Sequence, residues 1–426
     1  MTLLTPMRST ACVVVLLSAS AANADVSAAE VWADLKETLS VYGEDGLSIG
    51  SEKMDGDTLT VSNIIMKQED DITKVTQSIG ELTFTELGDG TVSIGFPSSY
   101  PIAIEPQTGN IITISAQQAG LRMIVGGIVG EMKYDMSADK YGFIVDEIID
   151  DGKVVKSDIR VTFNNVVGSY TTKTDELLAI DYDLAAGSLD FLVDVIPPET
   201  AGDYFTLSGK IDALKAQADI VMPLASSSDD PADMFANGFA MKGGYAFGSG
   251  NYIFDMKAEG EQTSGTISTS AGSLNGSMDD KAMSYDNLTN DIAISLSGGS
   301  LPFPVEASIA QYGLGFDMPL GKTEEASDFG LRVNLTDLAV NDMIWLLADP
   351  TGALPHDPAT LLLDMSGKAK LFFDLFDLEQ AEAMAMAAVP GELNEVTLNN
   401  MRLSVAGADV TGTGGFTFDN TDLETF

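Results

Sequence analysis

From Gly46 onward, apolar and polar residues alternate in short runs separated by turn dipeptides, a period of two that predicts antiparallel strands. Asp55-Gly56 separates residues 47–49 from 59–61, and Asp89-Gly90 separates 79–87 from 91–94. Asp151-Gly152 separates 143–149 from 154–155 and 159–163. An Asp-Gly pair accepts the positive φ that a two-residue hairpin demands. The same texture returns at 177–195, 204–211 and 218–222, then runs from 239 to 318 with Gly, Ser and Asn at the bends. Residues 410–412 and 416–418 read as a terminal strand pair. The expected fold class is mainly β, one or more large antiparallel meander sheets with one apolar face. Curvature into a groove, a second sheet layer, helices or an apolar ligand are the ways to shelter that face.

Helical pattern is sparse. Ser27-Ala28-Ala29-Glu30 is a capping box, followed by Val31, Leu35 and Leu39 at four-residue spacing, with Trp32 widening the stripe and Gly43 as the stop. This predicts an N-terminal amphipathic helix docked on a sheet, with Asp34 and Glu37 beside Lys36 on its polar side. Shorter helices are expected at 229–235, with Pro231 in the first turn, and at 342–348, capped by Asn341 and ended ahead of Pro350. A third is expected at 375–389, stopped by Pro390-Gly391, with Met384 and Met386 on opposite sides as ordinary packing residues. The Ser-Asp-rich segment 226–231 is the expected linker between β-rich halves at 25–225 and 232–426. No repeat of fixed period is visible.

Residues 1–24 read as a signal peptide. Arg8 supplies the positive charge, 11–17 the apolar run and Ala22-Asn23-Ala24 the processing site, so cleavage is expected between Ala24 and Asp25. The run is well short of the ~20 residues that span a bilayer, and a start at Met7 leaves the destination unchanged. The expected location is periplasmic or secreted. Cys12, the one cysteine, lies in the leader, so the mature chain is expected to be cysteine-free. Acidic residues outnumber basic ones 64 to 22, for a formal charge of −42, and loss of Arg8 adds one more negative unit. Such a field repels phosphate backbones and excludes nucleic acid as a partner.

Chemistry is scarce. His356 is the sole histidine, set between prolines in Leu354-Pro355-His356-Asp357-Pro358, which rules out multi-histidine metal sites and suits a turn residue better than a catalyst. Asp181, Asp183 and Asp190 lack calcium-loop spacing, and Glu69-Asp70-Asp71 reads as a solvated turn. Nucleophile-elbow, zincin and phosphate-loop motifs are missing, and Gly248-Ser249-Gly250 and Gly412-Thr413-Gly414-Gly415 fall between strands. No catalytic, cofactor-binding or metal-ligating residue is assigned, and no cofactor is expected.

Several segments carry a resemblance: the leader, Glu30-Val31-Trp32, Gly50-Ser51-Glu52, residues 56–61, Ile344-Trp345, Asp349-Pro350, residues 352–355, 357–361 and 403–408. Together they resemble a family of exported, mainly alphaproteobacterial proteins known as domain of unknown function 2125. The family carries no known activity, so the resemblance implies export and no transferable site residue. It also implies a chain that continues past residue 426.

The leading functional expectation is a non-enzymatic envelope protein that binds a lipid or other apolar ligand or partner on a sheet surface, without a transmembrane segment after cleavage. The alternatives are a secreted hydrolase using a carboxylate pair, which requires a desolvated acid beside an ionised one, and a purely structural surface protein.

Overall fold

The structure, a computed structural model, describes residues 25–40, 46–70, 72–198, 200, 202–224, 231–377, 380–387, 389 and 390–420. The leader with Cys12 and Ala24, and residues 226–230 of the expected linker, lie outside them; Asp25 is the first described residue and is exposed. Strand makes up 69% of the chain and helix 8%, and the fold is a large antiparallel β assembly with short helices, the fold class expected.

The chain divides into two compact units between Ser208 and Gly209, upstream of the 226–231 segment. The N-terminal unit comprises α1 (Ala28–Ser40), β1 (Leu47–Ser48), β2 (Ser51–Asp55), β3 (Thr58–Glu69), β4 (Thr73–Glu86), β5 (Val92–Gly95) and β6 (Ser99–Pro106). It continues with β7 (Ile111–Ala119), β8 (Arg122–Ile128), β9 (Glu131–Asp150), β10 (Lys153–Val154), β11 (Lys156–Thr174) and β12 (Leu177–Ile196); β13 (Tyr204–Pro223) crosses the boundary. The C-terminal unit adds α2 (Pro231–Ala236), β14 (Ala240–Phe247), β15 (Ser249–Ala258), β16 (Glu261–Thr269), β17 (Ala271–Met278), β18 (Ala282–Gly298) and β19 (Val305–Pro319). It ends with β20 (Ser327–Val340), α3 (Asp342–Ala348), β21 (Ala359–Leu371), α4 (Ala381–Met386), β22 (Gly391–Val405) and β23 (Ala408–Thr417).

Several boundaries differ from expectation. The hairpin at Asp55-Gly56 joins β2, not residues 47–49, to β3, with Asp55 opposite Thr58. Residues 410–412 and 416–418 are not a strand pair: β23 runs straight through them and pairs with β22. The turn sits earlier, at Ala406 and Gly407, where both residues take positive φ. The helix expected at 375–389 is confined to α4, because Asp374, Asp377 and Gln380 bond one another and nearby amides in tight turns. Asn341 precedes α3 in extended conformation but does not cap it; its Nδ2 donates to the Pro304 carbonyl instead.

A six-strand motif occurs twice. In the N-terminal unit, long β4 is paired along successive parts by β6 and β5, these pair with β7 and β8, and long β9 pairs with β8 and then β7. In the C-terminal unit β13 pairs with β14 and β15, these pair with β17 and β16, and β18 pairs with β17 and then β16. The order long, four short, long is the same. The repeat lies in connectivity rather than in residue identity, which is why no fixed period shows in the sequence.

Three long strands, β3, β4 and β9, slip their apolar alternation once. Buried positions run Leu59 and Val61, then Ile64, in β3; Gln77 and Ile79, then Leu82 and Phe84, in β4; and Met132 to Ala138 at even numbers, then Tyr141, in β9. A left-handed residue, Asn63, sits at the slip in β3, and others lie inside long strands at Asn165 in β11, Ala213 in β13, Asp291 in β18 and Asp337 in β20, all with φ of 49° to 54°. Asn and Asp enter that region at lower cost than most residues because their short polar side chains bond locally. Registers place Asn63 opposite Gly80, and Asn165 opposite both Asp139 and Gly187. The bends therefore align across neighbouring strands. Asn165→Val should lower the unfolding free energy by about 1–2 kcal/mol, since a β-branched residue resists positive φ. Asn165→Gly should cost far less, and urea midpoints of the two variants would read the difference.

Candidate functional site

Helix α1 shows how the N-terminal unit closes its apolar face. The capping box forms in both directions: the Ser27 amide donates to Glu30 Oε2 at 2.8 Å and the Glu30 amide donates to Ser27 Oγ at 3.3 Å. One side of α1, carrying Ala28, Val31, Trp32, Leu35 and Leu39, is buried, and the helix packs on β3 and β4. The Trp32 ring lies 5.6 Å from Phe84, and its indole N–H donates to Glu52 Oε1 at 2.7 Å. That bond, more than the Lys36 ammonium 3.0 Å from the same oxygen, holds the Glu52 carboxyl below its usual range.

Asp34 is the exception on this helix. The sequence places it on the polar side, yet it is only 7% exposed. Its Oδ2 accepts from Tyr134 Oη at 2.5 Å and from Thr172 Oγ1 at 3.1 Å, both wholly buried. Tyr134 in turn stacks on Tyr170 at 4.4 Å. Desolvation pushes the Asp34 carboxyl above its ordinary range, against the two hydroxyl donors. The missed signal was local: Asp34 follows Val31 by three and precedes Thr38 by four, and Thr38 is buried as well.

The C-terminal unit treats its apolar face differently. Apart from prolines and glycines, Ala218 and Leu320 are its only buried apolar residues among those described. Two rows of large side chains run across the sheet in register, one from β18 to β22 and one from β19 to β23. Tyr285, Phe316, Leu331, Met365 and Leu398 form a half-buried row beginning on β18. Tyr312, Leu335, Leu361, Leu403 and Val410 form a second, in which Tyr312 is 40%, Leu361 37%, Leu403 40% and Val410 52% exposed. On the same side, aromatic rings lie across glycines of the neighbouring strand: a Cβ on Gly272 would sit 2.3 Å from the Phe247 ring, and one on Gly367 2.5 Å from Phe329. The rings occupy the space that a side chain at each glycine would fill. The opposite, polar side carries a concavity of about 420 Å³ between β16, β18, β19 and β20, floored by Thr266, Ser268, Ser295 and Ser308 and edged by Glu306 and Asn341.

The other sequence candidates are dispersed. His356 stacks on Trp345 at 4.7 Å and its Nδ1 lies 3.0 Å from Asp342 Oδ1, an exposed contact that ties the loop to α3. Asp181 and Asp183 lie exposed on β12, and Asp190 accepts from Asn164. Asp70 accepts from the amides of Ile72 and Thr73 in a turn; Asp71 lies outside the described residues. Among the described residues no cluster of three or more His, Cys, Asp or Glu could hold a metal ion, and no helix is long and apolar enough to cross a membrane. The buried carboxylates are Asp34, bonded to hydroxyls, and Asp349, whose oxygens take the Leu354 amide and the Thr351 hydroxyl. No protein family, curated protein or solved structure matches the chain.

Trp32→Ala should cost about 3–5 kcal/mol of stability by opening a cavity under α1. Lys36→Ala, which removes a half-exposed ion pair and an ammonium 5.2 Å from the Trp32 ring centroid, should change it by at most about 1–2 kcal/mol. Denaturant midpoints of the two proteins would show the contrast.

Proposed function

We propose that this is an exported, non-enzymatic protein of the cell envelope, akin to the domain-of-unknown-function 2125 proteins, that binds a lipid-like apolar ligand on the sheet face of its C-terminal unit. The observation that carries this reading is the exposed row Tyr312, Leu361, Leu403 and Val410, continuous with the half-buried row through Phe316 and Leu331. Contiguous apolar surface of this kind in a folded domain marks a place where something apolar docks. The leader ending at Ala24 supports export, and the Asp25 start of the mature chain goes with it. The high negative charge favours a ligand whose head group is neutral or positive.

Titration of the purified chain with a fluorescently labelled lysophosphatidylcholine, whose head group carries no net charge, should show saturable binding with enhanced emission. The double variant Leu361→Asp, Leu403→Asp should weaken it about tenfold or more, equivalent to about 1.4 kcal/mol. Unsaturable binding, or equal affinity in the double variant, would remove the reading.

A further inference from the structure

We infer that α1 is held on the N-terminal sheet by a proton-dependent latch at Asp34, docking most tightly when that carboxyl carries a proton. The geometry is an interface with an acid at its centre. Asp34 projects from α1 into the sheet, 7% exposed, and meets the hydroxyls of Tyr134 on β9 and Thr172 on β11. Among the described residues no cation lies within ion-pair range of it.

The surrounding charges do not compensate it. On α1 itself, Glu37 adds repulsion and Lys36 is turned to Glu52 of β2. On β9 and β11 the titratable neighbours are Tyr134 and Tyr170, with Tyr134 held neutral by burial. On β4, Glu86 is engaged with the Ala28 amide at 2.9 Å. Two hydroxyl donors are a partial substitute for lost hydration, and a buried carboxylate without a cation favours its neutral form.

The sign follows from linkage. Asp34 in the docked state binds its proton more tightly than in an undocked, solvated helix. The extra stability is therefore complete below the solvated carboxyl's range and is lost as pH rises through the docked one's. One proton limits the change in the opening equilibrium to tenfold per pH unit. Release of α1 would uncover Val61, Leu82, Phe84 and Tyr134, an apolar face of the same kind as the one exposed in the C-terminal unit.

Hydrogen exchange of the full chain between pH 4.5 and 8, corrected for intrinsic rates, reads α1 separately from β9 and β11. Opening of α1 should increase with pH in the native protein while the two strands stay level. Asp34→Asn should abolish the slope and protect α1 more strongly at pH 8. Tyr134→Phe removes a donor that favours the ionised form, so α1 should open further than native at pH 8. An identical pH profile in native and Asp34→Asn proteins would overturn the latch. So would a pH effect shared equally by α1, β9 and β11, or, should Asp34→Asn not fold, an unchanged profile in Tyr134→Phe.

Discussion

The interaction on which the N-terminal unit depends is the burial of one apolar sheet face beneath α1. A strand that alternates apolar and polar residues leaves every second side chain on a single surface, and that surface must leave water. Trp32 meets Phe84 there, Val31, Leu35, Val61 and Leu82 are buried as well, and among the described residues the buried apolar side chains concentrate in this unit. The C-terminal unit builds the same six-strand motif and the same kind of face, yet its rows stop at partial burial. The difference between a closed core and an open surface is the basis for assigning stability to the first and for the binding proposed for the second.

A polar group inside such a core has to be matched. Asp34 is matched by two hydroxyls rather than by an arginine or lysine, which satisfies hydrogen bonding without neutralising charge. The arrangement favours one register of the helix on the sheet, because a shift of one turn would carry the carboxylate away from both hydroxyls.

The β class, the capping box and the Asp-Gly hairpins were legible because each rests on a local rule: alternation, reciprocal side-chain bonding, and tolerance of positive φ. The turns at Glu259-Gly260 and Ala406-Gly407 follow the same rule with residues that are weaker signals, and went unread. Helix periodicity located α1 but assigned Asp34 by polarity alone; its burial depends on Tyr134 and Thr172, 100 and 138 residues away in sequence. The repeated motif and the cross-strand rows are properties of register, which a single strand does not encode. They emerge only when neighbours are aligned.

The left-handed residues inside the long strands have a consequence for how the chain finds its pairing. Uniform alternating strands rich in Gly, Ser and Thr offer many near-equivalent offsets, and sliding by two residues preserves the facing of every side chain. A bend at Asn165 that must lie beside Asp139 and Gly187 removes that degeneracy, since only one offset aligns all three. The same holds for Asn63 beside Gly80. These positions act as alignment marks, and an insertion or deletion between a mark and the end of its strand is tolerable, whereas one that displaces the mark would have to be copied into every strand it adjoins.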